Sequence, residues 1–195
     1  MACGHAPFLT PFEAPLALRS AYRGGTPGIF QFCPAWSGFG LVRGATRNHW
    51  GFDLSAPTGT PVRAATDGTL SYARDPNGYG FHARLRLSTP SRHGASGTCG
   101  GSEEVEILYA HLIDDGKTPT ATRAVRAGEI IGRVGCSGNA HGMCSPSPES
   151  HLHVTVQRFP TKEKFEPGTF LGWTIVTPTD HPLGWGVCGR LPGSH

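Results

Sequence analysis

Charge is scarce in this chain of 195 residues: only 16% are Asp, Glu, Lys or Arg, and the balance is a mild +3. The basic residues are scattered and form no stripe, which excludes nucleic acid as the expected target and leaves room only for weak attraction to an anionic polymer. No apolar run approaches the roughly 20 residues of a membrane helix, so no membrane insertion is expected. The first 20 residues lack a basic segment followed by an apolar one, and Pro7, Pro11 and Pro15 interrupt them, so they do not read as a Sec signal. No His-Glu-x-x-His helix and no Cys-x-x-Cys pair occurs, which removes two common zinc signatures. Sustained helical periodicity is also missing.

Turn formers are plentiful instead. With 28 Gly and 17 Pro, the chain reads as a mainly β, loop-rich protein whose strands follow one another through short turns, which argues for an antiparallel sheet in a single domain. Residues 1–38 read as an extension packed on the core, with at most a helical turn or two around Ala14 to Tyr22. Residues 39–160 form the core, and 161–195 a C-terminal segment tied down by Trp173, Trp185 and Cys188. Within the core, Ala56 to Leu70 reads as strand, hairpin turn, strand. Further strands are expected at Phe81–Leu87 and Val105–Leu112, with a turn and short strand in Thr122–Val134. Ser88–Ser102 reads as a long loop, and Phe165–Val176 as a further strand. Six cysteines are many for a cytosolic enzyme, and some are expected to form disulfides.

The most informative stretch is His151-Leu152-His153-Val154-Thr155-Val156. On a strand its two histidines share one face and its apolar residues the other. Two neighbouring imidazoles can both ligate one metal, or one can ligate while the other handles protons. Upstream, His49 and Asp53 stand four positions apart in Arg47-Asn48-His49-Trp50-Gly51-Phe52-Asp53-Leu54, a segment poor in helix formers. In a straight strand their α-carbons would lie roughly 13 Å apart, and Gly51 can supply the bend that closes the gap. A third histidine, His111, ends the strand Val105–Leu112.

Other groups carry blander readings. His82 and His93 are assigned structural or solvent roles; His5, His141, His181 and His195 are expected at the surface, with His141 near the cleft. Tyr109 fits core or cleft equally. Glu103, Glu104 and Glu106 read as a solvated loop edge.

In order, the chain carries His-x-x-x-Asp, Pro-Val-Arg-Ala-Ala-Thr-Asp-Gly, Tyr-Ala-His-Leu, Gly-Arg-Val-Gly-Cys-Ser-Gly and His-Leu-His. Over residues 39–157 it thereby resembles the lysostaphin-type (LytM-like) zinc endopeptidases, which cut the peptide part of bacterial peptidoglycan. The resemblance implies an antiparallel β core with long loops around a zinc cleft. It implies one catalytic Zn²⁺ on His49, Asp53 and His153, with His111 and His151 as catalytic histidines. Some members of that family have lost ligands and serve as binding or activating modules; here the set is complete. The expected partner is a peptidoglycan peptide, met by a monomer in the periplasm or cell wall. A disulfide between Cys136 and Cys144 would close the loop before the His-x-His strand. With no Sec signal read, delivery as an antibacterial effector with a cognate immunity protein is the expectation, and a phage or bacterial lysin the alternative.

Overall fold

A computed structural model describes residues 8–14, 18, 37–41, 48–90, 102–116, 118, 120–145 and 150–175. Seven strands make one antiparallel sheet in the order β11-β10-β7-β6-β5-β8, with β3 beside the start of β10. These are β3 (Phe52–Ser55), β5 (Gly68–Asp75), β6 (Gly80–Pro90), β7 (Ser102–Leu112), β8 (Arg123–Val125), β10 (His151–Phe159) and β11 (Lys164–Phe165). Two small sheets flank it: β1 (Gly40–Leu41) with β2 (Asn48–His49), and β4 (Pro61–Arg63) with β9 (Ile130–Arg133).

The period-2 alternation gives the sheet two different faces. Leu85, Ile107, Tyr109, Leu152, Val154 and Val156 are fully buried in the apolar core. On the other face the register lays out three rows. Asp53, His153 and Ala110 form the first, Thr155, Leu108 and Arg84 the second, and Lys164, Gln157, Glu106 and Arg86 the third. Leu108 and Ala110 are buried yet stand outside the core cluster, as this division requires.

Three segments depart from the sequence reading. Ala56–Leu70 is not a hairpin: β4 pairs with β9, whereas β5 pairs with β6 and β8. Between them Ala64 and Ala65 are buried, and their amides bond to the Glu129 carbonyl and the Tyr109 hydroxyl, which diverts the chain. In place of one strand over Phe165–Val176, β11 gives way to a short helix, α1 (Pro167–Leu171). Its ends are specified locally: the Glu166 carboxylate accepts from the amides of Gly168 and Thr169, Pro167 occupies the first turn, and Gly172 closes it at φ 68°. Glu103, Glu104 and Glu106 lie on β7, not on a loop edge, and Glu106 is 1% exposed because Arg86, Lys162 and Gln157 surround it.

Phe8 and Phe12 are buried in the core, and the chain around them bonds across to Arg63 and Ala65. Trp173 is buried as well. Most of Ala14–Tyr22, together with His5, His93, Trp185, Cys188, His181 and His195, lies outside the described residues.

Candidate metal centre

The centre is assembled by a break between two strands and the register of a third. β2 ends at His49 and β3 begins at Phe52, so the chain bends at Trp50-Gly51 and brings His49 Nε2 to 3.2 Å from Asp53 Oδ1. The bend also has a steric reason: a Cβ on Gly51 would lie 2.5 Å from His153 Nε2, so only glycine admits that ring. Asp53 is the register partner of His153 across β3 and β10, and Oδ1 meets His153 Nδ1 at 2.7 Å. His49 Nε2 closes the triangle at 3.0 Å from His153 Nδ1. All three residues are buried.

Hydrogen-bond partners assign the tautomers. His49 Nδ1–H donates to the Gly38 carbonyl at 2.7 Å. The Thr155 hydroxyl donates to the Trp50 carbonyl at 2.8 Å and therefore accepts from His153 Nε2–H at 2.9 Å. Both rings thus commit their protonated nitrogens elsewhere, and when neutral they aim two lone pairs at each other and at a carboxylate oxygen. Three acceptors within 3.2 Å of one another repel unless a cation sits among them. Ligand atoms on one tetrahedral zinc stand about 3.3 Å apart, given bonds near 2.0–2.1 Å. The donor set therefore fits a zinc ion.

Two further histidines face this triangle. His151 Nε2 stands 3.7 Å from Asp53 Oδ1. The His111 ring lies 5.2 Å from that of His151 and 5.7 Å from that of His153, centroid to centroid. Its Nδ1–H donates to the Ser137 carbonyl at 3.0 Å, which leaves Nε2 as the basic atom on the cleft side. His111 holds a φ of 61°, rare for a non-glycine residue. The surroundings enforce it: its amide donates to the Tyr79 carbonyl, its carbonyl accepts from Gly135, and a Cβ on Gly135 would come within 2.9 Å of that same carbonyl oxygen. Cys136 and Cys144 are joined by a disulfide, which closes the loop that carries Ser137.

Electrostatics separate the two kinds of group. Burial alone would raise the Asp53 carboxyl, but when the facing imidazoles take up protons, His151 and His49 by their charge, and His153 and His49 by hydrogen bonds, hold it well below the usual carboxylate range. Burial, reinforced by His151 and His153, pushes His111 far below an ordinary histidine, so its ring is neutral across the physiological range.

Comparison with known proteins gives the family. The family model for Peptidase family M23 matches residues 47–167. The chain belongs to that family. It is 38% identical over 107 residues, 55% of its length, to the DD-carboxypeptidase/endopeptidase Mpg of Neisseria meningitidis serogroup B. It spans only 19% of the length of that relative. A zinc containing peptidase from Vibrio cholerae shares the fold, with a TM-score of 0.51 and 20% identity over 83% of this chain and 39% of that one. The catalytic domain of the antimicrobial peptidase lysostaphin from Staphylococcus simulans aligns at a TM-score of 0.46 and 21% identity, over 83% of this chain and 92% of that one.

Several residues of this M23 cleft were not singled out from sequence. Asn48, Trp50, Tyr79 and Asn139 line it, and Thr155 orients His153. Trp50 is 45% exposed, against the edge of Phe39. The Tyr79 ring lies between those of His153 and His82, 5.5 and 5.6 Å away. The Asn77-Gly78 turn was the available signal for Tyr79; Thr155 had only its place two residues after His153. Of the remaining histidines, His82 is buried and His141 exposed, while Tyr109 belongs to the core.

Proposed function

We propose that the chain is a zinc-dependent endopeptidase that hydrolyses the peptide crosslinks of bacterial peptidoglycan. The observation that carries the reading is the convergence of His49 Nε2, Asp53 Oδ1 and His153 Nδ1, three acceptors whose rings are locked in the ligating tautomer. A zinc held by these three residues would keep a further position for water or substrate, the mark of a catalytic site. The relative named DD-carboxypeptidase/endopeptidase supports a peptide substrate.

Zinc held by these residues supplies Lewis-acid polarisation of a carbonyl and a strong lowering of a water's pKa. His111, neutral and held through Nδ1 on Ser137, takes a proton at Nε2 and returns it to the departing amine. His151, whose Nε2 stands 3.7 Å from Asp53 Oδ1, is placed to donate a hydrogen bond toward the negative charge that develops on the carbonyl oxygen. Trp50 and Tyr79 wall the cleft in which the peptide lies.

The Cys136–Cys144 disulfide fits work outside the cytoplasm, in the periplasm or cell wall. There the protein acts as a monomeric antibacterial effector, and a cognate immunity protein covers the cleft in the producing cell. Digestion of purified sacculi tests the reading. The zinc-loaded protein should release crosslink-cleaved fragments, a chelator should stop it, and zinc should restore it. Stoichiometric zinc without cleavage of any muropeptide would make the chain a binding module instead.

A further inference from the structure

One cation on the cleft face of the sheet is held for a use that the hydrolytic site does not account for. Arg84 of β6 lies in the row next to the metal row, with Leu108 and Thr155 as its row partners. Leu108 is apolar and the Thr155 hydroxyl is committed to Trp50 and His153, so Arg84 carries the only charge of that row. Its Nε donates to His82 Nε2 at 3.1 Å. His82 is 1% exposed and gives its Nδ1–H to the Gly80 carbonyl at 2.9 Å, which fixes Nε2 as an acceptor. Burial holds this imidazole below its ordinary pKa, so it stays a neutral acceptor for the guanidinium. The other cations on this face are occupied. Arg86 and Lys162 share the carboxylate of Glu106, at 3.5 and 3.3 Å, and Lys164 donates to Gln157. Among the described residues no carboxylate lies within ion-pair distance of Arg84, although its charge reaches Glu106.

A guanidinium pinned at Nε by a buried neutral ring, and partly exposed, has its two terminal nitrogens to offer a planar oxyanion. Arg84 stands one row along and two strands across from His153, about 6.6 Å by about 9.6 Å, or roughly 12 Å between α-carbons, the span of three to four extended residues. We infer that Arg84, presented by His82, binds a carboxylate carried by the peptide substrate within about four residues of the bond that is cut. The inference rests on the peptidase reading for its substrate, and it makes the enzyme selective for acidic stem peptides over their amidated forms.

The test uses zinc-loaded protein and two synthetic crosslinked peptides that differ only in a carboxylate or a carboxamide at that position. Cleavage is read as kcat/KM and binding as Kd by calorimetry. The wild-type protein should favour the acid by about 10- to 100-fold, the worth of a charge-assisted hydrogen-bonded pair. Arg84→Gln, with its fold checked by circular dichroism, should bring that ratio close to 1, and Arg84→Lys should fall between the two. Equal handling of both peptides by the wild type, or a preference that survives in Arg84→Gln, overturns the inference while leaving the peptidase reading intact. Failure to cut either peptide counts against the peptidase reading alone, and the two Kd ratios then decide Arg84.

Discussion

Two buried carboxylates sit two rows apart on the same face of the sheet, and they are neutralised in opposite ways. Asp53 and Glu106 are each 1% exposed. Glu106 is met by permanent cations, Arg86 and Lys162, and by the Gln157 amide, so its charge is compensated within the protein. Burial would raise its pKa, yet Gln157 and Lys162 hold it below the usual value. Asp53 is met by imidazoles, and two of these present lone pairs because Gly38 and Thr155 hold their protons on the far side. A buried carboxylate among committed cations is finished; one among lone pairs is waiting for a cation. On the proposed zinc reading, that difference makes Asp53 the functional group and Glu106 a structural one, which sequence alone puts on a solvated loop edge.

Removing a ligand should break the comparison most severely. His49→Ala or His153→Ala should leave no measurable turnover of sacculi, because two donors do not hold zinc at catalytic affinity. His111→Ala should retain zinc and lose about 10²- to 10⁴-fold in rate, the usual worth of a general acid or base; metal analysis beside kinetics separates it from the ligand variants. Thr155→Val removes the hydroxyl that sets the His153 tautomer. Zinc affinity measured by chelator competition should fall about 10- to 100-fold, with recovery in Thr155→Ser.

The smallest effect is a pH dependence of the zinc-free protein. His82 and His111 both titrate below an ordinary histidine when folded. Once pH drops below about 6.5, the unfolded chain binds protons that the folded one refuses, so stability falls as pH falls, by up to about 1.4 kcal/mol per pH unit for each group. Asp53 and Glu106, both lowered, add a further loss only below about pH 4. Urea unfolding at pH 7.5, 6.5 and 5.5 reads this directly. A flat profile over that range would show that the two buried imidazoles take up protons without cost.

The two residue pairs of the triangle were legible because each motif is local, but their joint role as ligands came only from the family resemblance. His-x-His needs only strand alternation, and His-x-x-x-Asp needs only the bend at Gly51. The cysteine pair across the Cys136–Cys144 loop was legible for the same reason. What escaped depends on partners distant in sequence. Alternation marks β4 and β5 as strands but does not say that β4 pairs with β9. Glu106 looked solvated because Arg86, Gln157 and Lys162 reach it only once β6, β7 and β10 are in register. Thr155 and Arg84 acquire meaning from the same register. The helix α1 was missed although its signals, Glu166-Pro167 and Gly172, were present, because five residues carry too little periodicity to register.

The most direct test of the contrast between the two carboxylates is zinc stoichiometry by mass spectrometry under native conditions, for the wild type, Asp53→Asn and Glu106→Gln. One zinc per chain is expected in the wild type and in Glu106→Gln, and none in Asp53→Asn. Glu106→Gln should instead lose about 1–3 kcal/mol of stability, limited by the partial exposure of Arg86 and Lys162. Zinc retained in full by Asp53→Asn, or lost from Glu106→Gln while the fold persists, would contradict the account.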